Sequence, residues 1–409
     1  MIKDLIKKEE KRQKRVINLI ASENYASAEV REAAGSVLIN KYAEGKSHER
    51  YYFGNEIVDL MEDEVKSLAL MAFKLLPEEW DVNVQPYSGS IANLAAYAGT
   101  VGIGGKILAM SLSHGGHLSH GHKVNLTSKI FEFSHYGVGG DGLINYDEVK
   151  TLAESFKPGL IVCGATSYPR IIDFKKFREI ADGVDAPSAS SGQAPSASSG
   201  QAPSASSGQA SLGQVKLMVD MSHFAGLVAG EAYPSPFPFA DVVTTTTQKT
   251  LRGPRGAMIF SKVGLSPAID KAVFPGLQGG PHMNTIAAIG VALEEAMTSD
   301  FREYARQVVK NAKKLADELA KGGIKIVTGG TDSHLVLADL TPLGITGQEA
   351  GERLEAADII VNKNMVPDDP NPPRNPSGIR LGTAAVTTQG MKEKDMVKIA
   401  AEIIEILKR

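Results

Sequence analysis

Lys249 closes a β-branched run, Val242-Val243-Thr244-Thr245-Thr246-Thr247, and is followed by Gly253, Pro254 and Gly256. That is the pattern of a buried strand stopping at a turn. A lysine there sheds water, loses its proton more easily and can attack a carbonyl to form a Schiff base. The ordinary alternative is a solvated lysine at the end of a Thr-rich strand, so the residue has to be judged with others.

Four other places could join it. Asp220 ends the strand-like run Leu217-Met218-Val219, and an acid at the carboxyl end of a parallel strand points into the crevice where α/β sheets bind ligands. It could also cap the following turn; against a pyridine nitrogen it would keep that nitrogen protonated. Ser88-Gly89-Ser90 opens a helical pattern and offers free amides, two hydroxyls and the positive end of a helix dipole, the parts of a phosphate site, although Ser at a helix start is also an ordinary cap. His114, His117, His120 and His122 fall within nine residues. The segment is Gly-rich and lacks the spacing that puts metal ligands on one helix face, so an imidazole stacked on a flat heteroaromatic ring explains it as well. Arg380 sits among apolar residues in Ser377-Gly378-Ile379-Arg380-Leu381-Gly382-Thr383, either as a core ion-pair member or as a fork for a substrate carboxylate.

The elements that must carry these groups alternate. From Val82 onward strand-like and helix-like segments follow one another: Lys106–Met110, Leu160–Gly164 and Leu217–Asp220 as strands, 91–97 and Phe174–Gly183 as helices, which predicts an α/β chain. Long amphipathic helices occupy 285–321, and strands mixed with helices fill 324–409. Three parts are expected: an arm at 1–45, a large α/β domain at 46–284 and a small α+β domain at 285–409. With 409 residues the chain can bury a large core. A formal charge of −3 leaves no global basic field for nucleic acid or anionic lipid. The single cysteine, Cys163, suits a reducing compartment. The charged start lacks a signal-peptide core, and no apolar run is long enough to span a bilayer, so a soluble, cytoplasmic protein is expected.

Residues 186–209 are three copies of Ala-Pro-Ser-Ala-Ser-Ser-Gly-Gln. With no aromatic, charged or large aliphatic residue, the block cannot offset its ordering entropy by burial. It reads as a linker-like loop at the amino end of the Asp220 strand, on the face opposite the crevice.

Phosphate-binding turn, stacking histidine, strand-end acid and strand-end lysine, in that order, describe a fold-type I pyridoxal phosphate enzyme, the aspartate aminotransferase-like fold. Over nearly its whole length outside the repeats, the chain resembles the serine hydroxymethyltransferase family. The motifs are Leu19 to Asn24, Asn40 to Gly45, Arg50-Tyr51-Tyr52, Ser88-Gly89-Ser90, His114 to Leu118, Val219 to His223, Thr244 to Thr250, Gly253 to Gly256, Gly276 to Pro281 and Ser377 to Thr383. The resemblance implies reversible transfer of the serine hydroxymethyl group to tetrahydrofolate or tetrahydromethanopterin through a pyridoxal 5'-phosphate aldimine, giving glycine. It implies that Lys249 anchors the cofactor, Asp220 meets its ring nitrogen, His117 stacks on the ring, and His223 and Thr166 lie near its phenolic oxygen. Ser88, Gly89 and Ser90 would hold the phosphate, with Thr246 nearby. Gly280 and Tyr42 of the partner subunit would help in an obligate homodimer, or dimer of dimers, with shared sites. Arg380 and Ser22 would bind the amino acid carboxylate. Glu44 and Tyr52, again across the interface, would handle protons and the exchange of amines, while Leu112, Gly115, Gly116, Leu118 and Asn364 border the pterin. No metal, nucleic acid or membrane is implied. The short N-terminus and the 49–54 stretch are similar to archaeal members.

One residue departs from the family pattern: Gln248 stands where histidine is expected, and an amide does not titrate near neutrality. Three other readings remain at this point. They are a threonine or α-methylserine aldolase on the same fold, a His-rich metal protein, and a scaffold that binds cofactor without turnover.

Overall fold

The computed structural model describes residues 1–185 and 214–409. Its centre is a seven-stranded sheet. In spatial order the strands are Trp80–Asn83, Ala257–Lys262, Val242–Thr246, Lys216–Asp220, Leu160–Cys163, Lys106–Met110 and Glu132–Tyr136. Ala257–Lys262 runs antiparallel to both neighbours, and the other pairs are parallel. The inner strands are buried at nearly every position because both faces are covered. In Lys216–Asp220, Leu217 and Val219 enter one core while Met218 enters the other. The same alternation sends Leu108 and Ile161 one way and Ile107 and Leu160 the other. This is the fold-type I α/β architecture expected from the sequence.

A second, four-stranded antiparallel sheet carries Arg380. Its order is Lys325–Ile326, Leu335–Asp339, Gly378–Gly382 and Asn362–Asn364. The larger and the smaller apolar core both draw on the helices that follow the large sheet, and the smaller one also draws on the start of the chain. Helix Met283–Ala296 buries Met283, Ile286, Ile289 and Leu293 in the large core, and helix Ser299–Lys321 serves both cores: Phe301 and Val308 belong to the large one, Leu315 and Leu319 to the small one. At the other end Leu19 joins the small core, and Ile17–Asn18 pairs in parallel with Ile359–Ile360. We therefore propose that the small unit begins inside helix Ser299–Lys321 and borrows residues 17–19 from what looked like a free arm. Helix Ile2–Arg15 has no buried residue.

The repeat block, and the loop expected of it, lie outside the described residues. Its flanks are described: Asp185 and Gln214 form an antiparallel bridge just before the amino end of Lys216–Asp220. Among the described residues no helix is long and apolar enough to cross a membrane.

Candidate active site

The carboxyl ends of the central strands open on a cavity of about 340 Å³. Asp220, the last residue of its strand, is 7 % exposed and lines it. Its Oδ2 accepts from Asn93 Nδ2 at 2.9 Å and lies 3.2 Å from His120 Nε2, while Oδ1 accepts from the Ser222 amide at 3.0 Å. His120 Nδ1 accepts the His117 amide, so its Nε2 carries the hydrogen that Asp220 receives. Burial would raise the Asp220 pKa. The His120 hydrogen bond outweighs it, with help from Lys249 and Ser222, and the carboxyl stays far below its ordinary range.

Lys249 lies beyond the strand rather than at its end. Pairing with Ala257–Lys262 stops at Thr246, because the chain then closes a turn in which Gly253 N–H donates to the Thr247 carbonyl at 2.7 Å. The turn is held from outside, since Asn24 Nδ2 donates to the Lys249 carbonyl at 2.9 Å and to the Tyr304 hydroxyl at 2.8 Å. The ammonium is buried, and among the described residues it has no carboxylate in ion-pair range. Burial lowers its pKa from 10.5 to about 8; Asp220 opposes the shift, and Arg380 and Arg255 assist it.

Ser88 occupies the N-cap of helix Gly89–Val101 without capping it, since its hydroxyl makes no cap hydrogen bond. Its ordinary role as a cap is thus set aside, and among the described residues nothing takes the hydroxyl, which stands beside the first amides of a 13-residue helix. Gly89 is required by proximity, because an added Cβ would stand 2.6 Å from Thr246 Cγ2. The four histidines do not converge. His114 Nδ1 accepts from the Val138 amide, His117 Nδ1 is taken by Ser119, His120 serves Asp220, and His122 caps Val124. Among the described residues no metal-binding cluster of His, Cys, Asp and Glu forms. The His117 ring lines the cavity, with its pKa lowered to about 4 by burial and by His120.

Arg380 is 8 % exposed, and its pKa is lowered to about 10 by burial. Nη1 donates to the Thr166 carbonyl at 2.6 Å and Nε to Asn362 Oδ1 at 3.1 Å. Among the described residues it has no acidic partner, so the ion-pair alternative loses its support. A buried guanidinium without a counter-ion is an unsettled charge until an anion meets it.

Ser22, Ser90, Thr166, His223 and Thr246 also line the cavity. Leu112, Gly115, Gly116, Leu118 and Asn364 do not; Gly115 and Gly116 accept from Thr166 Oγ1 behind it, and Leu118 is exposed. Tyr42, Glu44, Tyr52 and Gly280 form a separate cluster. An added Cβ at Gly280 would meet the Tyr42 ring at 3.1 Å, one at Gly279 would meet Glu44 Oε1 at 2.9 Å, and the Tyr42 and Tyr52 rings sit edge to face at 5.1 Å. Tyr87 joins the two places, lining the cavity while its hydroxyl donates to the Gly280 carbonyl at 2.8 Å. The sequence reading missed Asn93, and it named His120 only within the histidine-rich segment without its role; both hold Asp220 Oδ2. A polar residue on the otherwise apolar face of Gly89–Val101 was the one signal for Asn93.

A buried carboxylate and a buried amine facing one cavity beside an uncapped Ser-Gly-Ser turn, on this sheet, define a fold-type I pyridoxal phosphate enzyme. A family model described as serine hydroxymethyltransferase matches residues 1–189 and 210–403, so only residues 190–209, within the repeat block, interrupt the match. A curated serine hydroxymethyltransferase of Desulfotalea psychrophila is 50% identical over 393 residues, covering 96% of this chain and 85% of the relative. The chain belongs to the serine hydroxymethyltransferase family, pyridoxal phosphate enzymes that interconvert serine and glycine with transfer of a one-carbon unit. The residues fit that cofactor: hydroxyls and helix amides for a phosphate, an ionised acid for a ring nitrogen, a flat imidazole for a ring face, and a lysine of lowered pKa for a carbonyl.

Proposed function

We propose that this chain performs the serine–glycine interconversion of its family with a reduced pterin as one-carbon acceptor, and that the cavity between Asp220 and Lys249 is where it does so. The observation that carries the reading is that two buried groups, Asp220 and Lys249, line one cavity, the acid held ionised and the lysine with its pKa lowered to about 8. At pH 7 a group with a pKa near 8 is about one-tenth unprotonated, enough for an amine to act as a nucleophile. When bound, pyridoxal phosphate supplies a carbonyl for amines and a ring that draws electrons from the bonds at the substrate Cα.

The chain's own groups do the rest. Ser88, Gly89 and Ser90 hold the phosphate, and Asp220 keeps the ring nitrogen protonated because His120 and Asn93 leave the carboxylate no reason to take the proton itself. His117 covers one face of the ring. Arg380, with Ser22, receives the substrate carboxylate, which gives the guanidinium its missing counter-ion. Thr166 and His223 stand at the phenolic side. Glu44 and Tyr52, with Tyr42 and Gly280, act in the cavity of a partner copy, where Glu44 moves a proton at the hydroxymethyl group or the pterin. Leu112, Gly115, Gly116, Leu118 and Asn364 border the pterin.

The test is the visible spectrum of the purified protein with glycine, with and without tetrahydrofolate, beside an assay of serine cleavage. Acceleration by the pterin is expected. Cleavage that ignores every pterin would leave an aldolase, and a colourless protein that takes up no pyridoxal phosphate would remove the assignment of the cavity.

A further inference from the structure

His223 does not stand alone at the cavity wall. Its Nδ1 lies 3.2 Å from Nε2 of His334, the rings are 28° from parallel at 5.3 Å, and the two side chains are 3 % and 1 % exposed. They come from different units: His223 follows the Asp220 strand, whereas His334 precedes Leu335–Asp339 in the small sheet, its carbonyl held by the Thr383 amide at 2.9 Å. Two imidazoles facing each other this way share one hydrogen if neither is a cation. Burial keeps both neutral, with Lys249 and Arg380 adding positive charge nearby, and His334 falls to about 3.

Which ring donates follows from the far side of His334. Its Nδ1 is buried and among the described residues has no partner that meets hydrogen-bond geometry, although the Ala21 backbone beside the ring favours the cation. A bare buried N–H is rarer in proteins than a bare acceptor. We infer that His334 is a positioning residue: its Nε2–H donates to His223 Nδ1, and His223 is thereby fixed to present an N–H from Nε2 to the cavity. On the reading above, that N–H meets the oxygen on the phenolic side of the cofactor. The small unit then sets the hydrogen-bonding character of a residue in the large one, through a histidine that touches neither substrate nor cofactor.

The experiment uses protein labelled with 15N in its imidazoles, with and without pyridoxal phosphate, and the variants His334→Phe and His334→Gln. The parent should show His223 protonated at Nε2 and bare at Nδ1 in both states. His334→Phe should mix the tautomers, move the absorption maximum of bound cofactor and lower kcat about ten-fold, the scale of one lost hydrogen bond to a charged site, with the KM for serine within about two-fold. His334→Gln, whose amide N–H can reach the same place, should recover most of the loss. A hydrogen on His334 Nδ1 in the parent, turned toward Ala21, would reverse both rings and overturn the assignment. So would a His334→Phe protein that loses melting temperature but keeps the parent tautomer, absorption band and kcat. The spectra without cofactor test the histidine pair even if the chain never takes up pyridoxal phosphate, so failure of that reading would be seen separately.

Discussion

The Lys249 cavity and the Tyr42–Glu44–Tyr52 cluster are built in opposite ways. Asp220 and Lys249, which line the cavity, and Arg380, which reaches the Thr166 carbonyl at its wall, are all at least nine-tenths covered, and each is held by groups from another element. In the cluster Tyr42 is 56% exposed, Tyr52 47%, and Phe53 wholly so. The cluster's backbone is nevertheless fixed: Arg50 reaches Asp59 at 2.8 Å, Glu62 at 2.5 Å and the Ala43 and Gly45 carbonyls at 3.0 and 2.7 Å. Removing one partner from such a buried network costs about 3–5 kcal/mol, so those aromatic side chains are exposed on a backbone that the Arg50 network ties down. Rigid, exposed aromatic groups beside a carboxylate suit a surface that a second copy covers. The contrast teaches that one chain is self-sufficient where charge must be desolvated and open where the proposed proton handling occurs.

The largest effect expected within the cavity is that of Lys249→Ala, which should lower serine cleavage by at least about a thousand-fold, with borohydride reduction of the parent fixing pyridoxal phosphate to the Lys249 peptide. A label on another lysine would break the account of the cavity. The same residue gives a pH signature. Its folded pKa near 8 lies below the unfolded 10.5, so between those values the unfolded chain binds more protons and stability of the cofactor-free protein rises with pH. Fully expressed, that rise is on the order of 3 kcal/mol, and Lys249→Met should flatten it in denaturant titrations from pH 7.5 to 10.5.

Next comes Asp220→Asn, which should lower kcat about a hundred-fold while cofactor affinity changes less than about five-fold, since the phosphate contacts persist. Small, equal effects on both would make Asp220 only a cap. The comparison between the two regions is sharpened by mixing. If the cluster serves a partner's cavity, inactive Lys249→Ala and Glu44→Ala proteins, unfolded and refolded together, should regain activity in about a quarter of their sites. A double variant carrying both changes should gain nothing from mixing with itself. Absence of any recovery, with mixed dimers demonstrated, would place Glu44 in its own chain's site.

Much of the cavity was legible because its residues are set by local pattern: an acid and a lysine near the ends of apolar runs, and serines before a helix. What was not legible depends on contacts distant in sequence. Asn93 meets Asp220 across 127 positions and His223 meets His334 across 111, and no spacing rule reaches that far. The end of the strand before Lys249 was misread for a related reason. Thr247 continues the β-branched composition, but Thr247 N–H bonds to the Gly256 carbonyl and its own carbonyl to Gly253 N–H, so the turn begins where propensity still favours strand. The passage from one core to the other was not legible either, because helix Ser299–Lys321 keeps one apolar stripe throughout.

The smallest effect concerns Gln248, which stands where the resemblance leads one to expect histidine. It lines the cavity beside Lys249, and among the described residues its buried Oε1 has no hydrogen-bond partner. An unsatisfied buried acceptor costs about 1–3 kcal/mol, and an amide in this place can neither gain nor lose a proton as an imidazole would. Gln248→His should therefore raise serine turnover about three-fold, or roughly 0.6 kcal/mol in barrier, without moving the attachment of pyridoxal phosphate to Lys249. It should also add a limb to the plot of kcat against pH within about one unit of 6.5, the ordinary histidine value, which the parent chain lacks. An unchanged or lower rate would mean that the amide carries no catalytic cost, and a raised rate without the new limb would mean that the gain comes from packing rather than from proton exchange.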